Sequence, residues 1–307
     1  MVTDLNAVPL PGTFGVPLHT SIRYANVAIS LFNEQGESYI YGYVPICVAK
    51  IGGYLKENGT DVFHTPEALN TTNRSPATTV EDIFATGSPP LQIQKLQLAF
   101  DSPPRYGKGL DWTGYTVHDA ANILVRYLLQ LPEGVVPLEF YVRFRDPLIG
   151  HQAAAVGTKE HGLSCAVDPF DEFATIRTYQ ALISELPPLN RQLLLYLLDL
   201  FAVFASKSDV NKMITSKLAK VFQPGILSHP QHSSFVAERQ LSEDVITFLV
   251  ENQDHFLLGM TVTDRNENSE EERQENVTPG EVPGEGEHGV NTSIKPVLHR
   301  ANSEPSL

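Results

Sequence analysis

Residues with chemistry of their own are few in this chain, and they are scattered. His229 and His232 stand in an H-x-x-H spacing beside Pro230, which would supply two of the ligands a zinc ion needs. No third ligand lies near them in sequence, so the pair reads as a solvated loop rather than a metal centre. His118 precedes Asp119 at the start of an apolar-periodic run and reads as a helix-start or packing residue rather than a catalytic base. Cys47 and Cys165 are the two cysteines, too few for a disulfide framework or a Cys-rich zinc site. The sequence holds no G-x-x-x-x-G-K-[ST], G-x-G-x-x-G, H-E-x-x-H or G-x-S-x-G. Ordinary active-site chemistry has no evident owner, and neither a metal nor a cofactor is called for.

Composition narrows the classes further. The chain has 307 residues, 42% hydrophobic and 19% charged, which is the make-up of a globular protein with a sizeable core. Its formal charge of −14 makes it a poor non-specific binder of nucleic acid or anionic membrane, because counterion release needs clustered cations. The excess is uneven: from Asp264 to Leu307 ten acidic residues face four basic ones, a net −6 that leaves −8 for the rest. The first 30 residues show no basic start followed by an apolar core, so no secretory signal is expected. The most apolar run, Leu193 to Phe204, is short and holds Asp199, which predicts a buried helix rather than a membrane span. The expected setting is cytoplasmic.

The elements that must position any site are mostly helical. Residues 1–43 are turn-rich and read as irregular. From Val44 to Glu57, Val44, Val48, Ile51 and Leu55 fall on one face, and Asn58-Gly59 stops the run. Residues 61–79 read as an exposed loop, Ile93–Phe100 as helix, and Val117–Leu131 as a strongly amphipathic helix ended by Pro132. A Gly- and Ala-rich stretch at 149–170 reads as loop. Glu172–Leu186, Leu189–Ala205, Asp209–Val221 and Ala237–Phe256 read as further helices. The period of 3.6 dominates after residue 43, so the fold class is all-α. Beyond about residue 260 the composition is that of disorder.

A series of phrases in fixed order then stands out. They are Phe14-Gly15-Val16-Pro17-Leu18; Val44-Pro45-Ile46 leading to Leu55-Lys56-Glu57-Asn58-Gly59; and Val80-Glu81-Asp82-Ile83-Phe84. Leu131-Pro132-Glu133, Asn211-Lys212-Met213, and Leu218-Ala219 with Val221-Phe222-Gln223-Pro224 follow. Together they resemble the Rho GTPase-activating protein (RhoGAP) domain of fungal type, over about residues 14–260. The resemblance implies an all-α helical bundle preceded by a flexible segment 1–13, interrupted by an insertion at 62–79, and followed by a disordered acidic tail at 261–307. It also implies a partner, a Rho-type small GTPase, whose own GTP and magnesium are the only cofactors involved. Such a domain inserts an arginine from a G-I-F-R phrase into the partner's nucleotide site. There the planar, permanently charged guanidinium meets phosphate oxygens in a dry environment, worth about 10³–10⁵ in rate.

The chain departs from that pattern at the positions the resemblance marks as functional. Aligned without gaps, the arginine falls on Ala85 and the glycine of the phrase on Asp82. Sliding the alignment does not restore an arginine, since none lies between Val80 and Leu98. Arg74 and Arg105 flank the region, and Arg74 is the one candidate substitute. A basic partner-facing position becomes Val125, a polar one Leu129, a proline Gly134, and an asparagine Lys217. Val125 and Leu129 read as core, as an exposed patch or as a new partner surface; their position in the family favours an exposed apolar pair, an altered interface. Arg126, Lys212, Lys217 and Lys220 are the candidates for a cationic face toward an acidic GTPase surface, with solvated helix faces as the alternative. The expectation is therefore a GTPase-activating-protein-type activator of weak or lost activity, or a non-catalytic interaction module that binds a GTPase as scaffold or competitor. In the tail, Arg300-Ala301-Asn302-Ser303-Glu304-Pro305 resembles a phosphoserine site read by 14-3-3 proteins, centred on Ser303.

Overall fold

The structure is a computed structural model that describes residues 12–32, 38–57, 77–157 and 169–258. Its helices are α1 (Leu18–Ser21), α2 (Ile46–Glu57), α3 (Pro90–Asp101), α4 (Val117–Gln130), α5 (Tyr141–Arg145), α6 (Gln152–Val156), α7 (Glu172–Glu185) and α8 (Pro188–Ala205). They are followed by α9 (Ser208–Asn211), α10 (Thr215–Ile226), α11 (Val236–Glu251) and α12 (Gln253–Leu258). A two-stranded antiparallel hairpin, β1 (Asn26–Phe32) and β2 (Ser38–Pro45), precedes α2. Arg74, Cys165, the expected tail and Ser303 lie outside the described residues.

At the centre is α8. Leu193 to Leu198, Leu200, Phe201 and Phe204 are all buried, so the 12-residue apolar run is the core of an 18-residue helix, apolar nearly all round because neighbours surround it. Strand β2 of the hairpin and α10, α11 and α12 pack on it. Around it α2, α4 and α10 close a second layer, with Val48, Ile51, Leu55, Leu124, Leu128, Leu218 and Phe222 in one continuous core. Buried apolar side chains on that scale are the main favourable term holding the bundle together.

Local chemistry explains the boundaries. Thr116 and Asp119 form a reciprocal capping box at the start of α4: Asp119 N–H donates to the Thr116 hydroxyl at 3.2 Å, and Thr116 N–H donates to the Asp119 carboxylate at 2.8 Å. At its far end α4 touches α10 through Gly225, where a Cβ would come within 2.8 Å of the Leu128 Cβ. Gly134 likewise lies under the Ile226 carbonyl, 2.9 Å from where a Cβ would stand.

Four expectations need correction. The irregular reading of 1–43 missed the hairpin, whose pairing shifts register between Ile29 and Ser30 and so breaks a clean alternation. The expected helix Asp209–Val221 is two helices: Lys212, at φ +59, ends α9, and α10 starts at Thr215 and continues to Ile226. The expected helix Ala237–Phe256 also breaks, at Asn252 between α11 and α12. The loop assigned to 61–79 does not hold at its end, where Ala77–Thr79 form a 3-10 turn with Ala77 and Thr78 buried. Short helical turns at Leu138–Leu148, and α6 inside the stretch read as loop, complete the differences.

Candidate functional site

The segment from Val80 to Pro89 takes its shape from its own backbone first. Asp82 sits at φ +48, in the left-handed region that residues other than glycine seldom enter. This is the position that the resemblance assigns to the glycine of G-I-F-R, and glycine enters this region without strain. The Asp82 carbonyl accepts from the N–H groups of Ala85 (2.8 Å) and Thr86 (3.0 Å), closing a tight turn. Ile83 and Phe84 point inward, with the Phe84 ring edge-on to Phe204 at 4.9 Å and Phe222 at 5.1 Å. Ala85, Thr86 and Gly87 are left exposed at the tip.

Two sides of the fold brace this turn. From α4, Nδ1 of His118 lies 3.3 Å from the Ile83 carbonyl, which makes that nitrogen the protonated one, and Asn122 donates to the Thr86 carbonyl at 2.7 Å. From the α9–α10 junction, the Asn211 carbonyl accepts from Asp82 N–H at 2.8 Å. The buried Asn211 side chain donates to the carbonyls of Thr78 (2.7 Å) and Phe204 (2.8 Å) and accepts from Met213 N–H (2.7 Å). Lys217, in the first turn of α10, places its Nζ 2.8 Å from Asp82 Oδ1. Neither Asn211 nor Asn122 stood out as a site residue in the sequence, although Asn211 opens one of its recognisable phrases.

The other sequence-derived candidates spread outward from the turn. Asn122, Val125 and Leu129 run along one face of α4, so Leu129 stands about 10 Å beyond Asn122 along the axis. Leu129 is exposed as expected, but Val125 is half-buried against the core, so the exposed apolar pair reduces to one residue. Arg126 and Lys220 are exposed. Lys212 is exposed too, its ammonium donating to the Asp209 carbonyl at 2.6 Å. Lys220 and Arg239 both lie close enough to Glu243 to draw its pKa down, but burial outweighs them and the carboxyl is raised. Lys217 is committed to Asp82, so the cationic face is smaller than its sequence suggests.

Elsewhere the histidine pair lies in the turn between α10 and α11, as the loop reading has it, but half-buried rather than fully solvated. The His229 and His232 rings lie 4.6 Å apart and both face buried Tyr141, beside a cavity of about 240 Å³. His232 Nδ1 is 3.2 Å from the Tyr141 hydroxyl and 3.5 Å from Glu238, which pairs with Arg145. Among the described residues no group of three His, Cys, Asp or Glu side chains stands in metal-holding geometry.

This mostly helical bundle has the architecture of a RhoGAP domain. The crystal structure of human Rho GTPase activating protein 15 shares it, with a TM-score of 0.55 at 17% identity over 83% of this chain and 99% of that one. The RhoGAP domain pattern matches residues 71–231, and the chain belongs to that family. Rho-GTPase-activating protein 5 of Schizosaccharomyces pombe is 40% identical over 244 residues, covering 80% of this chain and 58% of that protein. Rho-GTPase-activating protein BAG7 of Saccharomyces cerevisiae is 34% identical over 238 residues, 77% of this chain and 50% of its own length. The chain thus spans between half and three-fifths of these relatives.

Proposed function

We propose that this chain docks on a GTP-bound Rho-type GTPase and accelerates its GTP hydrolysis weakly or not at all. The observation that carries this reading is the methyl group of Ala85, exposed at the tip of the turn where the resemblance places the arginine. A methyl group has neither the charge nor the length to reach a phosphate oxygen. Loss of that one guanidinium predicts a rate defect on the order of 10³ or more. The retained turn gives the second reading its support: a non-catalytic module that occupies the GTPase as scaffold or competitor. On either reading we place the protein in the cytoplasm, recruited to membranes by its GTPase. Ser303, once phosphorylated, is a further docking point for a 14-3-3 protein, checked by binding of the phosphopeptide.

Single-turnover hydrolysis by a panel of GTP-loaded Rho-type GTPases, with the native chain beside Ala85→Arg, tests the proposal. The expected result is saturable binding by both, with acceleration of about 10³-fold or more only in the variant. Strong acceleration by the native chain would show that another group supplies the charge. Binding to neither nucleotide form would remove both readings.

A further inference from the structure

Two of the departures from the family pattern, Asp82 and Lys217, are bonded to each other. They lie 135 residues apart in sequence, and their charged atoms meet at 2.8 Å on a half-exposed surface. The pair joins the turn to α10, while the Asp82 N–H joins it to Asn211 at the end of α9. The turn is therefore clamped at two points on either side of the helix break at Lys212. Asp82 is also the residue whose carbonyl receives both the Ala85 and Thr86 N–H groups, and it does so from the left-handed region. A residue with a Cβ is held there at a cost in local population of about five- to thirty-fold, an upper bound for Asp, which enters this region several-fold more often than most side chains. A bond to its carboxylate offsets part of that cost, and glycine would have needed none.

We propose that the Asp82–Lys217 ion pair is a latch that sets the shape of the turn 82–86. Lys217 is then a positioning residue for whatever stands at position 85, acting through Asp82, and not a free cation of the docking face. In the latch each side chain supplies the charge that the other pairs with. Its consequence for GTP hydrolysis rests on the docking reading above; its effect on the turn does not.

Hydrogen exchange of the Ala85 and Thr86 amides in the free, full chain tests the latch directly. An exposed ion pair is worth about a two- to five-fold change in such an opening equilibrium. Lys217→Gln is expected to speed exchange at those two amides by that factor and to leave the core amides of α8 unchanged. In an Asp82→Gly background the same substitution should have no further effect, because the carboxylate is gone and glycine holds the turn unaided. Unchanged exchange in Lys217→Gln, or an equal increase in the Asp82→Gly background, would overturn the latch. A second arm uses the Ala85→Arg chain with a GTP-loaded GTPase. There Lys217→Gln should lower the saturating hydrolysis rate about two- to five-fold at an unchanged half-saturating concentration. A shift in half-saturation alone, with normal exchange, makes Lys217 a docking cation and sinks the proposal. If Ala85→Arg brings no acceleration while the exchange result holds, the latch stands and the docking reading fails.

Discussion

Asn211 shows how much of this surface depends on a single amide. Its side chain satisfies three buried backbone groups, on Thr78, Phe204 and Met213, and its own carbonyl holds Asp82. Only glutamine carries the same carboxamide, one methylene further from the backbone, and all three bonds are buried. Asn211→Ala should cost about 2–3 kcal/mol, the desolvation of donors and acceptors left without partners, read as a lower urea midpoint. Exchange at Ala85 should quicken as well, because the backbone that anchors Asp82 is freed. Asp199, by contrast, forms its ion pair with Lys56 at a half-exposed site, and removing it should shift the midpoint little.

Among the elements, α4 carries both the brace for the turn and the face that leads away from it, so its first turn matters more than its length. Thr116→Ala removes the hydroxyl end of the capping box and leaves Asp119 N–H unsatisfied, which predicts a loss of about 1 kcal/mol. Calorimetry of the variant checks this, and Thr116→Ser should recover most of the loss. The same helix shows what a sequence discloses and what it hides. Its run of Val117, Ala121, Leu124 and Leu128 predicts the buried face correctly, and the periodic stretches of α2, α7 and α8 are equally plain. The hairpin was hidden because a register shift and the exposed Tyr39, Ile40 and Tyr43 blur its alternation. The break between α9 and α10 was hidden because nothing in the local pattern requires Lys212 to turn left-handed; the tertiary bonds of Asn211 do. The phrase around Ala85 is legible in the sequence, but the positive φ of Asp82 and its bond to Lys217, 135 residues away, leave no local trace.

For the whole molecule, charge decides two things separately. The first is stability. Burial raises the Glu243 carboxyl above its ordinary value against the pull of Arg239 and Lys220, so its ionised form is the less favoured one in the folded state. A raised folded value means stability that is full below the unfolded carboxylate range and is lost as pH rises through the folded value. Glu243→Gln should therefore melt higher than the native chain at pH 7, with the advantage shrinking as pH falls through the carboxylate range. The second is encounter. A chain of net charge −14 has no general attraction for another acidic protein, so any steering toward a GTPase must come from the few cations beside the turn. Lys217 is neutralised by Asp82, which leaves Arg126, Lys212 and Lys220, all on the exposed surface of α4 and the α9–α10 region. Reversing two of them, Arg126→Glu with Lys220→Glu, should slow association with a GTP-loaded Rho-type GTPase by about tenfold or more at low salt. The dissociation rate should change less, since neither side chain is buried. At high ionic strength the native and reversed chains should converge, because an encounter field of this kind extends only about a Debye length, near 3 Å in 1 M salt. Stopped-flow association across a salt series separates the cases. A defect that persists at high salt would mean that these side chains make close contacts in the complex, and an absent defect would move the docking face away from α4 and α10.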